Sequence, residues 1–144
     1  MVNFSKSGLL PVGIHAATWK ELSEIFGFNK HRQALLDGLL KGLKILKQYG
    51  CEEVLINGSF VTNEPDPKDV DVAFDNSAMD WKSFVKDYPE FVDIKNGSRI
   101  QIEKYGTEFY AYNSFDDYFP QFFQFNRDGK QKGIVKLYLK ELKI

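Results

Sequence analysis

Cysteine is almost missing: Cys51 stands alone in 144 residues, so no disulfide can form within the chain and no cysteine cage can hold a metal. A single thiol after Gly50, at the start of an apolar run, reads as buried and inert. Histidine is scarce too. His15 and His31 have no partner ligands at metal spacing, so a capped or surface role is expected for both. No apolar run approaches the roughly 20 residues that cross a bilayer. The opening "MVNFSKSGLLPVG" lacks the basic region and apolar stretch of a secretory leader. A cytoplasmic location with no membrane partner is therefore expected. Net charge is small as well, at −1, which argues against a nucleic-acid binder held by bulk electrostatics.

What is present suffices for one core. Hydrophobic residues make up 43% and charged residues 27%, the balance of a globular chain with a single domain over 1–144. The charge is segregated. From Glu64 to Asp93 nine acids stand against three lysines, a net −6; from Lys130 to Lys143 five lysines stand against Glu141, a net +4. One segment suits metal ions and the other phosphates, or the two are solvated faces of opposite sign.

Residues 1–50 read as a helical part and 51–144 as a sheet. Thr18 and Glu21 in "TWKE" form a capping box for a helix that Gly27 stops. Asn29 caps a longer helix through Tyr49, with Leu36, Leu39, Leu40, Leu43 and Leu46 on one side and Gly50 as its stop. Gly38 and Gly42 sit one turn apart in it, which implies a close neighbour on that face. "EEVLIN" and "DVDVAF" read as strands, separated by a loop that Pro65 and Pro67 keep irregular. "DWKSFVKDY" is a short helix ended by Pro89. "FVDIKNGSRIQIEKYG" is ambiguous: Ile100 and Ile102 alternate like a strand, while Ser98 and Gly106 suit a two-turn helix. "TEFYAY" is a strand, "FDDYFPQFFQF" helical after Pro120, "NRDG" a turn, and "GIVKLYLKEL" the strand that closes the sheet. Together these give an α+β or α/β domain with a small mixed sheet flanked by helices.

The chemistry gathers in "LINGSFVTNEPDPKDVDVAF", Leu55 to Phe74. On a strand, Asp69 and Asp71 face the same way while Val70 and Val72 enter the core. Two carboxylates that close hold one proton near neutral pH unless a divalent cation neutralises both, and hard oxygens of this kind suit Mg²⁺ with substrate phosphates. Gly58 lets the backbone turn tightly and leaves room for a phosphate. The N–H groups beyond it, with the Ser59 hydroxyl, can donate to phosphate oxygens.

A hydrophobic strand ending in Gly-Ser, followed by Asp-x-Asp in a second hydrophobic strand, resembles the DNA polymerase β-type nucleotidyltransferase superfamily; Glu53 to Phe74 carries the match. The wider chain resembles a small, functionally uncharacterised prokaryotic family within it, through "GLLPVGIHAATWKEL", "GSFVT" with the later aspartates, "KYGTEF" and "RDGKQKGIV". The resemblance implies that Gly58 and Ser59 hold the nucleotide phosphates, and that Asp69 and Asp71 ligate two Mg²⁺ ions. It also implies a third carboxylate from a neighbouring strand. Glu108 is preferred, then Asp93, and Glu103 only if its segment is a strand. Many minimal members carry arginine directly after Gly-Ser, where this chain has Phe60. Phosphate charge then needs another partner, for which Lys68, Arg99 and Lys104 are candidates.

The activity so implied is Mg²⁺-dependent transfer of a nucleoside monophosphate from an NTP to a hydroxyl of an RNA, a protein or a small molecule, with pyrophosphate leaving. Two rivals use the same residues. One is a non-catalytic nucleotide- or partner-binding module of a toxin–antitoxin or defence-like system, paired with a partner protein or with itself. The other is a metal-dependent phosphohydrolase. Phe115, Tyr118, Phe119, Phe122, Phe123 and Phe125 are read mostly as core rather than as a base-stacking surface, and Tyr110 or Tyr112 as a possible base platform beside Glu108. Lys132 before Gly133 can reach phosphate or RNA, but a strand-edge lysine that blocks aggregation is the commoner case.

Overall fold

Two capping signals start the helices. The Glu21 N–H donates to Thr18 Oγ1 (3.1 Å) and the Thr18 N–H to Glu21 Oε1 (3.0 Å), opening α1 (Trp19–Phe26). Asn29 Oδ1 accepts from the Arg32 N–H at 2.8 Å and opens α2 (Lys30–Gln48). The computed structural model describes residues 10–92, 94–114, 117, 120 and 132–142. Among them are two further helices, α3 (Trp81–Asp87) and α4 (Ile94–Tyr105).

Five strands form one mixed sheet: β1 (Gly13–Ala17), β2 (Glu53–Asn57), β3 (Val70–Asp75), β4 (Thr107–Tyr112) and β5 (Gly133–Tyr138), in the order β1-β5-β2-β3-β4. β2 runs antiparallel to β3 and β5, while β1–β5 and β3–β4 are parallel pairs. Helix side chains Leu22, Phe26, Leu36, Leu39, Leu43, Leu46 and Phe84 share one core with Val54, Ile56, Val72, Phe74, Phe109, Val135 and Leu137 from one face of the sheet. On the opposite face Leu55, Ala73, Tyr112 and Ile134 form a smaller buried group. The result is a single small α+β domain with helices packed on a mixed sheet.

Gly38 and Gly42 have the close neighbour that the sequence implies. A β-carbon at Gly38 would stand 2.4 Å from the Tyr105 carbonyl oxygen, and one at Gly42 would stand 2.4 Å from the Phe109 ring. Helix α2 therefore rests directly on the end of α4 and on β4.

Three readings change. Residues 1–50 are not wholly helical, because "GIHAA" is β1; so short a run carries little strand signal, and it is fixed by pairing Gly13 with the distant Gly133. β5 does not close the sheet at an edge but lies between β1 and β2. The ambiguous segment is a helix of 12 residues with Ser98 inside it, stopped by Gly106 at φ +59°. The readings made for the aromatic run after Ser114 and for "NRDG" lie outside the described residues. Among the described residues no helix is long and apolar enough to cross a membrane.

Candidate functional site

The site begins where β2 ends. Asn57 is its last residue, and Gly58 follows at φ +84°, in the left-handed region that side chains disfavour. The chain then makes a 3-10 turn, Ser59–Val61, with Phe60 and Val61 buried and Ser59 exposed. Phe60 packs on Phe26 with ring centroids 6.0 Å apart, so the position after Gly-Ser serves the core.

Arg32 holds this loop from behind. Its side chain is fully buried and, among the described residues, donates to backbone carbonyls alone: Phe26 (2.9 Å), Ser59 (3.2 Å), Phe60 (2.7 Å), Thr62 (2.8 Å) and Glu64 (2.7 and 2.9 Å). Carbonyl dipoles aimed at the guanidinium replace the water it has lost. Burial still brings its pKa down to about 10, against the pull of the Glu64 charge. Further along, the Asn29 amide donates to the Pro65 carbonyl at 2.7 Å, and the His31 ring is hydrogen-bonded to the Pro67 carbonyl. The first turn of α2 thus fixes the path from Ser59 to Pro67.

β3 then returns beside β2. Asp71 is the direct ladder partner of Asn57 on one side and of Glu108 in β4 on the other. Direct partners face the same side of a sheet, and Asp69, two residues before Asp71, shares that side. Asp69, Asp71 and Glu108 each offer a carboxylate oxygen within 4.8 Å of the other two, and all three are half-buried. Val70 and Val72 point the other way and are fully buried.

The electrostatics follow from this crowding. Burial first, and the Glu108 charge second, hold the Asp69 carboxyl above its usual range, partly offset by Lys68. Tyr110 donates to Glu108 Oε2 at 2.5 Å; burial, that bond and the surrounding acids push the phenol well up. Lys132 is only 9% exposed, and burial lowers its pKa while the charge of Asp71 acts in the opposite direction. A buried cation therefore accompanies three clustered carboxylates. The donor set is hard oxygen throughout, which fits Mg²⁺, Mn²⁺ or Ca²⁺ rather than a softer metal.

The model of one protein family, described as "Family of unknown function (DUF6932)", matches residues 2–138. The chain belongs to that family. No curated protein and no solved structure matches it.

In this DUF6932 chain the expected site residues divide into two groups. Gly58, Asp69, Asp71 and Glu108 come together, with Ser59 next along the loop, and Glu108 joins the two aspartates as the sequence expects. Lys68 is exposed and close enough for its charge to act on Asp69. Lys104 lies apart, mostly exposed and paired with Glu90 at 3.4 Å. Arg99 is exposed on α4, and Glu103 is on the same helix, which removes the condition for its choice. Asp93 lies outside the described residues. Tyr112 turns its hydroxyl to Glu53 at 3.3 Å, leaving Tyr110 as the tyrosine bonded to the cluster. Cys51 is buried as expected, its thiol pushed up to about 12 by desolvation.

Sequence reasoning passed over two residues of the candidate site, Arg32 and Asn57, and set a third, Lys132, aside. Arg32 carried a readable signal: it shares helical phase with Leu36, Leu39 and Leu43, so a charge stood on the core stripe of α2. Lys132 was weighed as an edge lysine, but β5 is an interior strand and the side chain is buried. Asn57 carried no signal before its ladder partner was known.

Proposed function

We propose that this DUF6932 protein is a divalent-cation-dependent nucleotidyltransferase that moves a nucleoside monophosphate from an NTP to a hydroxyl acceptor, an RNA, protein or small molecule, with release of pyrophosphate. The observation that carries the reading is the set Asp69, Asp71 and Glu108, with oxygens within 4.8 Å, beside the left-handed turn at Gly58. Burial first and the Glu108 charge second raise the Asp69 carboxyl, and a divalent cation would offset the repulsion between the clustered carboxylates.

Asp69 and Asp71 would hold Mg²⁺, two ions by the resemblance, with Glu108 completing the set. Bound Mg²⁺ neutralises the triphosphate and lowers the pKa of an oxygen bound to it. The chain's own residues do the rest. Gly58 and Ser59 take the β- and γ-phosphates, since Ser59 is exposed on the turn and the backbone N–H groups beyond Gly58 can donate to phosphate oxygens. Lys132, rather than Arg99 or Lys104, supplies the cation that a residue after Gly-Ser supplies elsewhere in the superfamily. Tyr110 fixes the rotamer of Glu108 through its 2.5 Å hydrogen bond. Glu108 accepts the proton of the acceptor hydroxyl, whose oxygen forms a bond to the α-phosphorus as the bond to pyrophosphate breaks. A cytoplasmic location goes with this reading, as the compartment that supplies NTPs and Mg²⁺.

The test is transfer of label from four α-³²P NTPs with Mg²⁺ into RNA, protein and small-molecule fractions of a cell extract. Label moved by wild type and not by Asp71→Asn is the expected result. NTP binding without transfer into any fraction would favour a non-catalytic module, and phosphate release without an acceptor would favour a phosphohydrolase.

A further inference from the structure

Asn57 is 6% exposed, and its Oδ1 is buried without a hydrogen-bond partner among the described residues. Buried polar atoms almost always find a partner, and one that does not calls for an explanation, of which a bound ion is one. Its location says what. Asn57 ends β2 as the direct antiparallel partner of Asp71, so the two side chains leave the sheet on the same side, at neighbouring positions. Glu108 extends the row on the other side of Asp71. Gly58, immediately after Asn57, comes so close to Asp71 that a β-carbon there would stand 2.6 Å from Oδ2.

The orphan carbonyl oxygen and the Asp71 carboxylate at the neighbouring position are both acceptors. A substrate hydroxyl has a single proton and can donate to only one of them. A cation satisfies both at once. Amide carbonyl oxygens are ordinary ligands of hard divalent ions, alongside carboxylates. A purely structural asparagine in this place would instead be bonded to the backbone or to a neighbouring side chain, as Gln101 is to Glu90 and Phe109.

We propose that Asn57 Oδ1 is a fourth protein oxygen of the cation site, neutral where the other three are charged, and that it draws the ion shared with Asp71 toward the Gly58–Ser59 turn. This rests on the carboxylate cluster being a cation site, as in the reading above. The neutral ligand has a purpose there. A fourth carboxylate would tighten the ion but would repel a triphosphate arriving over Gly58, whereas a carbonyl adds an oxygen and no charge.

The experiment is Mn²⁺ binding to the nucleotide-free protein, followed by the electron paramagnetic resonance signal of free Mn²⁺, with a thermal melt of every variant in EDTA. Asn57→Leu should weaken Mn²⁺ binding on the order of ten-fold. Its metal-free melting temperature should hold or rise, because no hydrogen bond is lost. Asn57→Asp should bind Mn²⁺ more tightly than wild type. Leucine and aspartate variants that both bind as wild type does, while Asp71→Asn fails to bind, would overturn this proposal alone. Wild type that takes up no Mn²⁺ would overturn the cation reading and this proposal together. A metal-free Asn57→Leu that melts well below wild type while keeping its Mn²⁺ affinity would make Asn57 a structural residue.

Discussion

A β-carbon on Gly58 would stand 2.6 Å from Oδ2 of Asp71, inside any allowed contact distance. The glycine therefore does two jobs: it takes the left-handed backbone at φ +84°, and it leaves the space into which the carboxylate projects. With ψ at −171°, Gly58→Ala should cost about 1 to 3 kcal/mol for the backbone alone. The displaced carboxylate should also lower Mn²⁺ affinity. Urea unfolding and metal titration together check both, and an alanine variant with wild-type values in each would remove the steric role.

Arg32 is predicted to be irreplaceable by lysine. The guanidinium fork reaches five carbonyls spread over Phe26 to Glu64, and an ammonium with three donors on a round head cannot. Arg32→Lys should destabilise the fold by about 3 kcal/mol or more, since each abandoned buried carbonyl keeps its desolvation cost. Amide exchange should rise first between residues 59 and 64. Lysine that restores wild-type stability would show that charge, not the fork, matters.

Asp69 gives the pH dependence. Its carboxyl titrates above the ordinary 3.8, so the folded metal-free chain holds this proton more tightly than the unfolded chain does. That contribution favours folding below the ordinary value and is lost as pH rises through the raised one. Asp69→Asn should thus melt higher than wild type in EDTA at neutral pH, with the difference shrinking as pH falls toward 3.8. Melting curves from acid to neutral pH decide it, and a gap that widens on acidification has the wrong sign.

Lys132 should discriminate between nucleotide and nucleoside. Lys132→Met is expected to weaken binding of a non-hydrolysable triphosphate by roughly 10- to 100-fold, the worth of a charge-assisted contact. Nucleoside binding should change little, and Lys132→Arg should recover part of the loss. Calorimetric titration of both ligands separates this from a general loss of fold, and equal losses for the two would refute it.

Gly38→Ala sets packing against propensity. Alanine improves an exposed helix position by about 1 kcal/mol over glycine. Here its methyl would stand 2.4 Å from the Tyr105 carbonyl oxygen, a backbone atom that cannot swing aside. Overpacking of that kind typically costs about 1 to 3 kcal/mol, so net destabilisation is expected by chemical denaturation.

The parts of the site carried by short-range pattern were legible in the sequence. Asp69 and Asp71 lie two residues apart on an alternating strand, and Gly-Ser follows an apolar run, so periodicity placed both. Glu108 was reachable because "TEFYAY" alternates cleanly. What escaped depended on register between distant segments. Asn57 acquires meaning only opposite Asp71, and Lys132 only once β5 is inserted beside β2. β1 was missed for the same reason, since "GIHAA" is a strand by virtue of pairing with residues 133–137. The α4 segment failed differently: its Ile100 and Ile102 mimic alternation, while Gln101 between them is the buried residue, bonded to Glu90 and Phe109.

The insertion of β5 between β1 and β2 has a consequence during synthesis. Both neighbours of the last strand are made long before it, so the edge of β2 and the whole of β1 wait unpaired while more than a hundred residues follow Gly13 out of the ribosome. An open β2 edge beside the nascent site is exposed to wrong pairing with a neighbour. Losing the strand that begins at Gly133 would leave that edge permanently bare. Truncation there should therefore yield insoluble protein rather than a smaller soluble domain.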